Sequence, residues 1–451
     1  MNLLKCFSSV LLLVYAVVAT GQAKHLCDSI VVENANGQQI KKSFFTHDGS
    51  GRELSVKNYL YNKKNDTWVG ISYEQKEYDA VGNCIHSISS LWNVAVGDWQ
   101  PTIEQRSSYD AQGRVLDFDS RRWNAQNSVW YGEQRSTTEY DAEGREISVC
   151  KYLWNEEKQT WKYSERTQYE YDAAGNLVNK IESNRENDEW VLYLKEDYIY
   201  DADNKNVVSI LKSIGQDGQW YQYEKYDYKY THADNLIVEE KTMKMVDCNG
   251  KWQNAERYTT YIDNKGSEVA TRDETWRIDR WLINNQERSD VNYDVVGNKI
   301  SDVHYRWIGY DANRKDVWEG VSSVTEKFDA NGNRISNIRL AWDNNRGDWK
   351  GVVNEEVEYD LTGKVSKEYR RKWNLNESAW VNLSCNMYEY DQQGNKIGEK
   401  TSQWDTMTQE WKVFFQGKYV YTYNDQGDIK KIEEYKWEQE RWRLVSTIVY
   451  Y

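Results

Sequence analysis

The sequence predicts an all-β protein, a tandem array of about 13 two-stranded repeats of ~31 residues that forms a coiled antiparallel meander. Three observations predict it. A Tyr-Asp-x-x-Gly motif recurs along most of the chain, paired Trp residues follow it at a second fixed spacing, and the segments between alternate in polarity. The 451 residues include 35 Tyr and 22 Trp but a single Pro. Such a chain is too aromatic for disorder and too poor in Pro for extended linkers.

The first element is a leader. MNLLKCFSSVLLLVYAVVATGQA has one Lys at position 5, an apolar run from Val10 to Val18, and small residues at Ala19, Gly21 and Ala23. This is the pattern of a cleavable signal peptide over 1–23. The run falls short of the about 20 apolar residues that span a bilayer, and no comparable run follows, so no transmembrane segment is expected after cleavage. Cys27 follows Lys24-His25-Leu26 and lacks the small residue that a lipid-anchor site needs before its Cys. The mature chain is therefore expected to be exported, to the periplasm, the outer surface or the medium. Removing Lys5 leaves 57 basic against 72 acidic residues, a net charge of −15 (57 − 72). Nucleic acid and anionic lipid are therefore poor partners, and no nucleic-acid binding is expected, since phosphate binding calls for a basic surface. Cysteines at 27, 84, 150, 248 and 385 share no spacing, which excludes a repeating disulfide framework and a CxxC metal site.

A lead-in of one or more strands is expected over 24–46, and the array over 47–451. YDAVGN at 78 is followed by YDAQGR at 109, YDAEGR at 140 and YDAAGN at 171, and later by YDVVGN at 293, FDANGN at 328, YDLTGK at 359 and YDQQGN at 390. Weaker copies at 47, 200, 230, 262 and 423 complete thirteen units, most of them 31 residues apart. In each motif Asp opens a turn and Gly supplies the left-handed residue that closes it, as in a type I turn with a glycine bulge. The turn residues are Asp79 and Gly82, Asp110 and Gly113, Asp141 and Gly144, Asp172 and Gly175, Asp294 and Gly297, Asp329 and Gly332, Asp360 and Gly363, and Asp391 and Gly394.

The Trp pairs come fourteen and twenty-one residues after the motif Tyr: Trp92 and Trp99, Trp123 and Trp130, Trp154 and Trp161, Trp342 and Trp349, Trp373 and Trp380, Trp404 and Trp411. Asn or Asp follows the first Trp of each pair. The two should face each other across a hairpin. In WKYSERTQYEYD the residues Trp161, Tyr163, Tyr169 and Tyr171 share parity, so an uninterrupted strand would put all four on one face. Aliphatic residues such as Ile147, Ile300, Ile335 and Ile397 would then lie on the other. About 26 strands at ~4.8 Å would span roughly 125 Å if flat, so twist should coil or close the sheet, aromatic side inward, with Gly turns on one rim and Trp loops on the other.

The Y-D-x-x-G-[NR] element followed by an apolar residue resembles the YD repeat of the Rhs family, whose members coil long hairpins into a shell. It is similar also to secreted YD-repeat proteins of Bacteroidota without assigned activity. The resemblance implies an Rhs-shell-like spiral or tube from a bacterial cell surface. This chain departs from the pattern in its longer period, its added Trp loops, and an end at Tyr451 inside a repeat that leaves no room for a C-terminal toxin domain.

Candidate sites divide by chemistry. Asp329-Ala330-Asn331-Gly332-Asn333 begins like a calcium loop, but Arg334 and Leu340 hold the places of its sixth-position Gly and twelfth-position acid. A structural turn is expected there, with no metal and no cofactor. No Gly-rich phosphate loop leads into a helix, and no HExxH or GxSxG motif occurs, so no catalytic residues are assigned. A carboxylate pair for glycoside cleavage would be indistinguishable from a solvated acidic face. The fourteen Trp residues of the pairs, counting Trp307 and Trp318 across the enlarged loop WIGYDANRKDVW, form a hypothetical aromatic binding rim. Packing alone would also explain their period. The units at 171, 200 and 230 lose the first Trp, and Asn284–Arg288 reads as a second loop extension and binding tip. The expected function is non-enzymatic binding, adhesion or scaffolding toward a glycan or a surface protein; glycan binding or processing through Trp-lined loops, and a shell without a toxin, are the alternatives.

Overall fold

A computed structural model describes residues 27–203, 206–233 and 235–451; the expected leader lies outside them. The described residues form 28 antiparallel strands and no helix, from β1 (Ser29–Asn34) to β28 (Arg441–Tyr450). The all-β tandem hairpin array is borne out. Thirteen hairpins bear the Trp positions, and β1 with β2 (Gln39–His47) precedes them, which accounts for 28 strands where about 26 were expected.

Contacts divide the chain into two units. One contains the chain up to Glu77, with Ile88–Pro101 and Tyr419–Tyr451. Here β1 pairs with β2 on one side and with β28 on the other. No open edge is left at the first strand or the last. Val32, Ile448 and Ile432 lie in one cross-strand row through β1, β28 and β27 (Ile429–Glu438). These buried β-branched side chains form a small apolar core, with Ile30, Ile40, Tyr421, Ile429 and Tyr450 packed around it.

The second unit, Tyr78–Ser87 and Thr102–Lys418, is a meander in which each strand pairs with the next in sequence. Its buried side chains are mostly small and polar, including Ser183, Ser209, Ser213, Thr259 and Ser323. The backbone ladder and cross-strand side-chain pairs therefore carry the packing that an aliphatic core carries elsewhere. The five described cysteines are free.

The repeated turn has the expected geometry. Between β10 (Thr160–Tyr171) and β11 (Leu177–Glu186), the Gly175 amide donates to the Asp172 carbonyl at 3.0 Å and the Asp172 amide to the Asn176 carbonyl at 2.9 Å. Gly175 has φ +92°, where a Cβ would be strained. Asp172 Oδ1 accepts from the amides of Ala174 and Asn176. Its Oδ2 accepts from Asn176 Nδ2 at 3.0 Å, and in the preceding turn Arg145 Nε donates in the same way to Asp141 Oδ2 at 2.7 Å. That shared bond explains why the motif mostly ends in Asn or Arg; Lys364, in YDLTGK, instead donates to the Gly394 carbonyl. In several repeats the motif Tyr ties its turn to the one before: Tyr171 Oη donates to the Glu146 carbonyl at 2.9 Å, and Tyr140 to that of Val115 at 3.1 Å.

One expectation fails. Trp161 and Tyr163 stand opposite Trp154 and Tyr152 of β9 (Glu146–Asn155), but Glu165 then pairs with Lys151, so Ser164 is an extra residue. This β-bulge shifts the alternation by one. Gln168, not Tyr169, then shares the row of Ser148, on the Trp154 side. Tyr169 and Tyr171 therefore lie on the face of Ile147, opposite Trp161 and Tyr163. The same bulge falls three residues after the second Trp in hairpin after hairpin, at Glu133, Val352, Leu383 and Phe414 among others. Neither face is uniformly aromatic, because the second strand of these hairpins changes face part-way along.

Candidate binding rim at the tryptophan loops

Each Trp loop is built from its own side chains. Asn93, Asn124, Asp343, Asn374 and Asp405 follow the first Trp, and the Oδ1 of each accepts from the amide two residues on, at 2.8–3.0 Å. An amide four residues on, that of Gly97, Gly347 or Gln409, closes the loop onto the carbonyl of the same Asn or Asp at 2.8 Å. The closing residue is left-handed, as at Gly97, Ser128, Gln159, Gly347, Ser378 and Gln409. A short polar residue after the first Trp is thus the loop's internal cap.

The loop holds its two Trp in register. Trp92 with Trp99, Trp123 with Trp130, Trp154 with Trp161, Trp342 with Trp349, Trp373 with Trp380 and Trp404 with Trp411 meet edge to face, with centroids 5.1–5.2 Å apart. All twelve are half-buried, neither sealed in a core nor free in solvent. What they lie on is the preceding hairpin. A Cβ built on Gly132 would come within 2.5 Å of Trp154 and Trp161, and one on Gly351 within 2.6 Å of Trp373 and Trp380. Gly70 and Gly320 stand in the same relation to Trp92 with Trp99 and to Trp342 with Trp349. Trp161 reaches far enough for its Nε1 to donate to Asp119 Oδ2 at 3.2 Å. Four of the six pairs are thus laid over a glycine of the preceding hairpin, whereas Pro101 stands at that place before Trp123 and Trp130, and Asn382 before Trp404 and Trp411.

Where the pattern breaks, the neighbours change size together. Arg185 replaces a first Trp and stacks with Arg166 on Trp190, against which Tyr163 packs edge to face at 5.8 Å. Gly215 replaces the next, and a Cβ there would lie 2.7 Å from that of Leu192. Trp307 and Trp318 remain in register, but Trp307 packs on Tyr310 at 5.2 Å, inside a loop that forms its own Asp-capped turn at Asp311–Lys315. Asn284–Arg288 is not a loop extension. These residues run inside β18 (Arg280–Tyr293), with Asn284 as the bulge and Asn285–Arg288 in register with Ala270–Asp273. The hairpin connection before them is simply shorter.

That shortening hid two further pairs, Trp276 with Trp281 and Trp437 with Trp442, with centroids 5.1 and 5.3 Å apart. Their signal is W-x4-W around a two-residue turn in which left-handed Ile278, or Gln439 and Glu440, replaces the Gly bulge. Tyr61 with Trp68 is a variant pair at 5.4 Å.

A cleft opens on this rim. About 720 Å³ in volume, it lies between the loop joining β23 (Val365–Asn374) to β24 (Ala379–Tyr390) and the loop joining β25 (Lys396–Asp405) to β26 (Glu410–Tyr423). Lys372, Trp373, Asn374, Leu375, Glu377, Trp380, Val381, Asn382, Trp404, Thr406 and Gln409 line it. Beside it, the Lys412 ammonium and the amides of Met407 and Thr408 hold the Asp405 carboxyl down at about 2.

Among the described residues, no group of three or more His, Cys, Asp and Glu is placed to hold a metal ion. The arrangement most like a catalytic one is Ser289 Oγ, 3.2 Å from His304 Nδ1, with Glu287 Oε2 3.4 Å from the other ring nitrogen. Ser289 is mid-strand and paired with His304 in the ladder. Amides in a ladder are not free to receive an oxyanion.

No protein-family profile matches the chain, and no curated protein matches it. Among solved structures it is similar to a protein of unknown function from Bacteroides fragilis, at 19% identity over 30% of this chain and 95% of that one, with a TM-score of 0.21. It is similar to TcdB2-TccC3-TEV at 13% identity over 98% of this chain and 28% of that one, with a TM-score of 0.21. A porin-like protein from Bacteroides uniformis is 9% identical over 94% of this chain and 96% of that one, with a TM-score of 0.13. Likeness at these scores carries no weight for function.

Proposed function

We propose that this chain is an exported, non-enzymatic repeat protein that binds glycan or protein at a bacterial envelope or outside the cell. One observation carries the reading. The same Trp loop is presented, half-exposed, at hairpin after hairpin, so one chain offers many similar contact points. Modest sites repeated in this way gain strength through effective concentration. An acidic surface directs such contacts to neutral or basic partners rather than to nucleic acid.

The test is retention of labelled residues 24–451 on glycan arrays and on immobilised envelope proteins, with and without Trp→Ala changes at Trp92, Trp123 and Trp342. Retention that falls as Trp residues are removed supports the reading. Turnover would sink it, whether release of reducing sugar from polysaccharides or cleavage of p-nitrophenyl esters that Ser289→Ala abolishes.

A further inference from the structure

The cleft between the loops of β23–β24 and β25–β26 lies where no glycine precedes the next Trp pair. One hairpin earlier, Gly351 lets Trp373 and Trp380 come down onto bare backbone, with no space for a Cβ. Asn382 holds the equivalent place, two residues after Trp380. Its side chain lines the cleft together with Trp404 of the next pair.

We propose that this cleft binds a neutral oligosaccharide, with Trp373 and Trp404 as platforms for sugar rings and Asn382, Thr406 and Gln409 as partners for their hydroxyls. The proposal rests on the surface-binding reading and names a ligand class and a place for it. A pyranose has an apolar C–H face, which suits an indole face, and a rim of hydroxyls that both donate and accept. Amide and hydroxyl side chains do both as well. None of the three makes a side-chain hydrogen bond elsewhere in the described residues, so their capacity is unspent. Lys372 and Glu377, the charged side chains of the lining, are opposite in sign, which disfavours a strongly charged ligand. The volume, about 720 Å³, is that of a ligand site.

Calorimetric titration of residues 24–451 with maltohexaose, cellohexaose, mannohexaose, laminarihexaose and chitohexaose tests it. At least one should bind, and Trp404→Ala and Asn382→Gly should each weaken that binding tenfold or more, while Gln112→Ala, in an exposed Asp-Gly turn outside the rim, leaves it unchanged. Asn382→Gly installs the residue that Gly132 and Gly351 already place there, so it tests the cleft even if Trp404→Ala fails to fold. Binding that Asn382→Gly leaves intact overturns the cleft and spares the surface-binding reading. Failure of all five sugars overturns the cleft as well; the surface-binding reading falls with it only if the arrays also show no retention.

Discussion

At the scale of single residues, the chain places glycine for two unrelated physical reasons. Gly175 is needed for its backbone conformation at φ +92°, whereas Gly132 is needed for the absence of a side chain under Trp154 and Trp161. Gly132→Ala should therefore cost about 1–3 kcal/mol through overpacking, read as a lower denaturant midpoint at unchanged slope. The turn aspartates act through charge. Bonds from Asn176 hold the Asp172 carboxyl below its usual value, and Asp405 is held at about 2, chiefly by Lys412. A depressed carboxyl binds fewer protons folded than unfolded, so its stabilisation is complete above the unfolded value of about 3.9 and is lost as pH falls through the folded one. Melting temperature should drop between about pH 4 and pH 2, and Asp405→Asn should flatten that drop.

At the scale of the element, the hairpin is a unit with a capped turn at one end, a Trp pair at the other and a bulge between. The edge-to-face contact of Trp123 and Trp130 at 5.2 Å should give a coupling of about 0.5–1.5 kcal/mol in a double-mutant cycle of thermal or urea unfolding. A coupling near zero would mean that each indole is held by the neighbouring hairpin alone. The bulge was not legible. Nothing at Ser164, Glu133 or Val352 marks an extra residue, because a bulge is a property of two strands paired, and one strand's pattern does not contain it.

At the scale of the molecule, the unit that holds both chain ends depends on β1. A chain lacking 27–38 would expose the edges of β2 and β28, the two strands β1 pairs with. It should self-associate with concentration in sedimentation, and amides in β28 should exchange faster. The tyrosines give a second global readout. Tyr388 is pushed up to about 12 by burial and Glu368, and Tyr450 to about 12 by burial, so the folded state favours their neutral forms. Their contribution is complete below the unfolded value of about 10 and is lost as pH rises toward 12. Absorbance titration should show the folded chain ionising at higher pH than the urea-unfolded one.

By itself the sequence determined the all-β class, the repeat and its period, the Asp-Gly turns and the opposed Trp, because each follows from contacts within one hairpin. Turn geometry depends on five residues, and register across a tight turn on about ten, so a local pattern holds all of the information. Only the tertiary structure decided which face each aromatic occupies, that glycines such as Gly132 and Gly351 seat the next hairpin's indoles, and that Asn382 and Trp404, from different hairpins, line one cleft. Those outcomes depend on contacts between residues in different hairpins, where the size of one side chain sets the space left for another and no single segment records both.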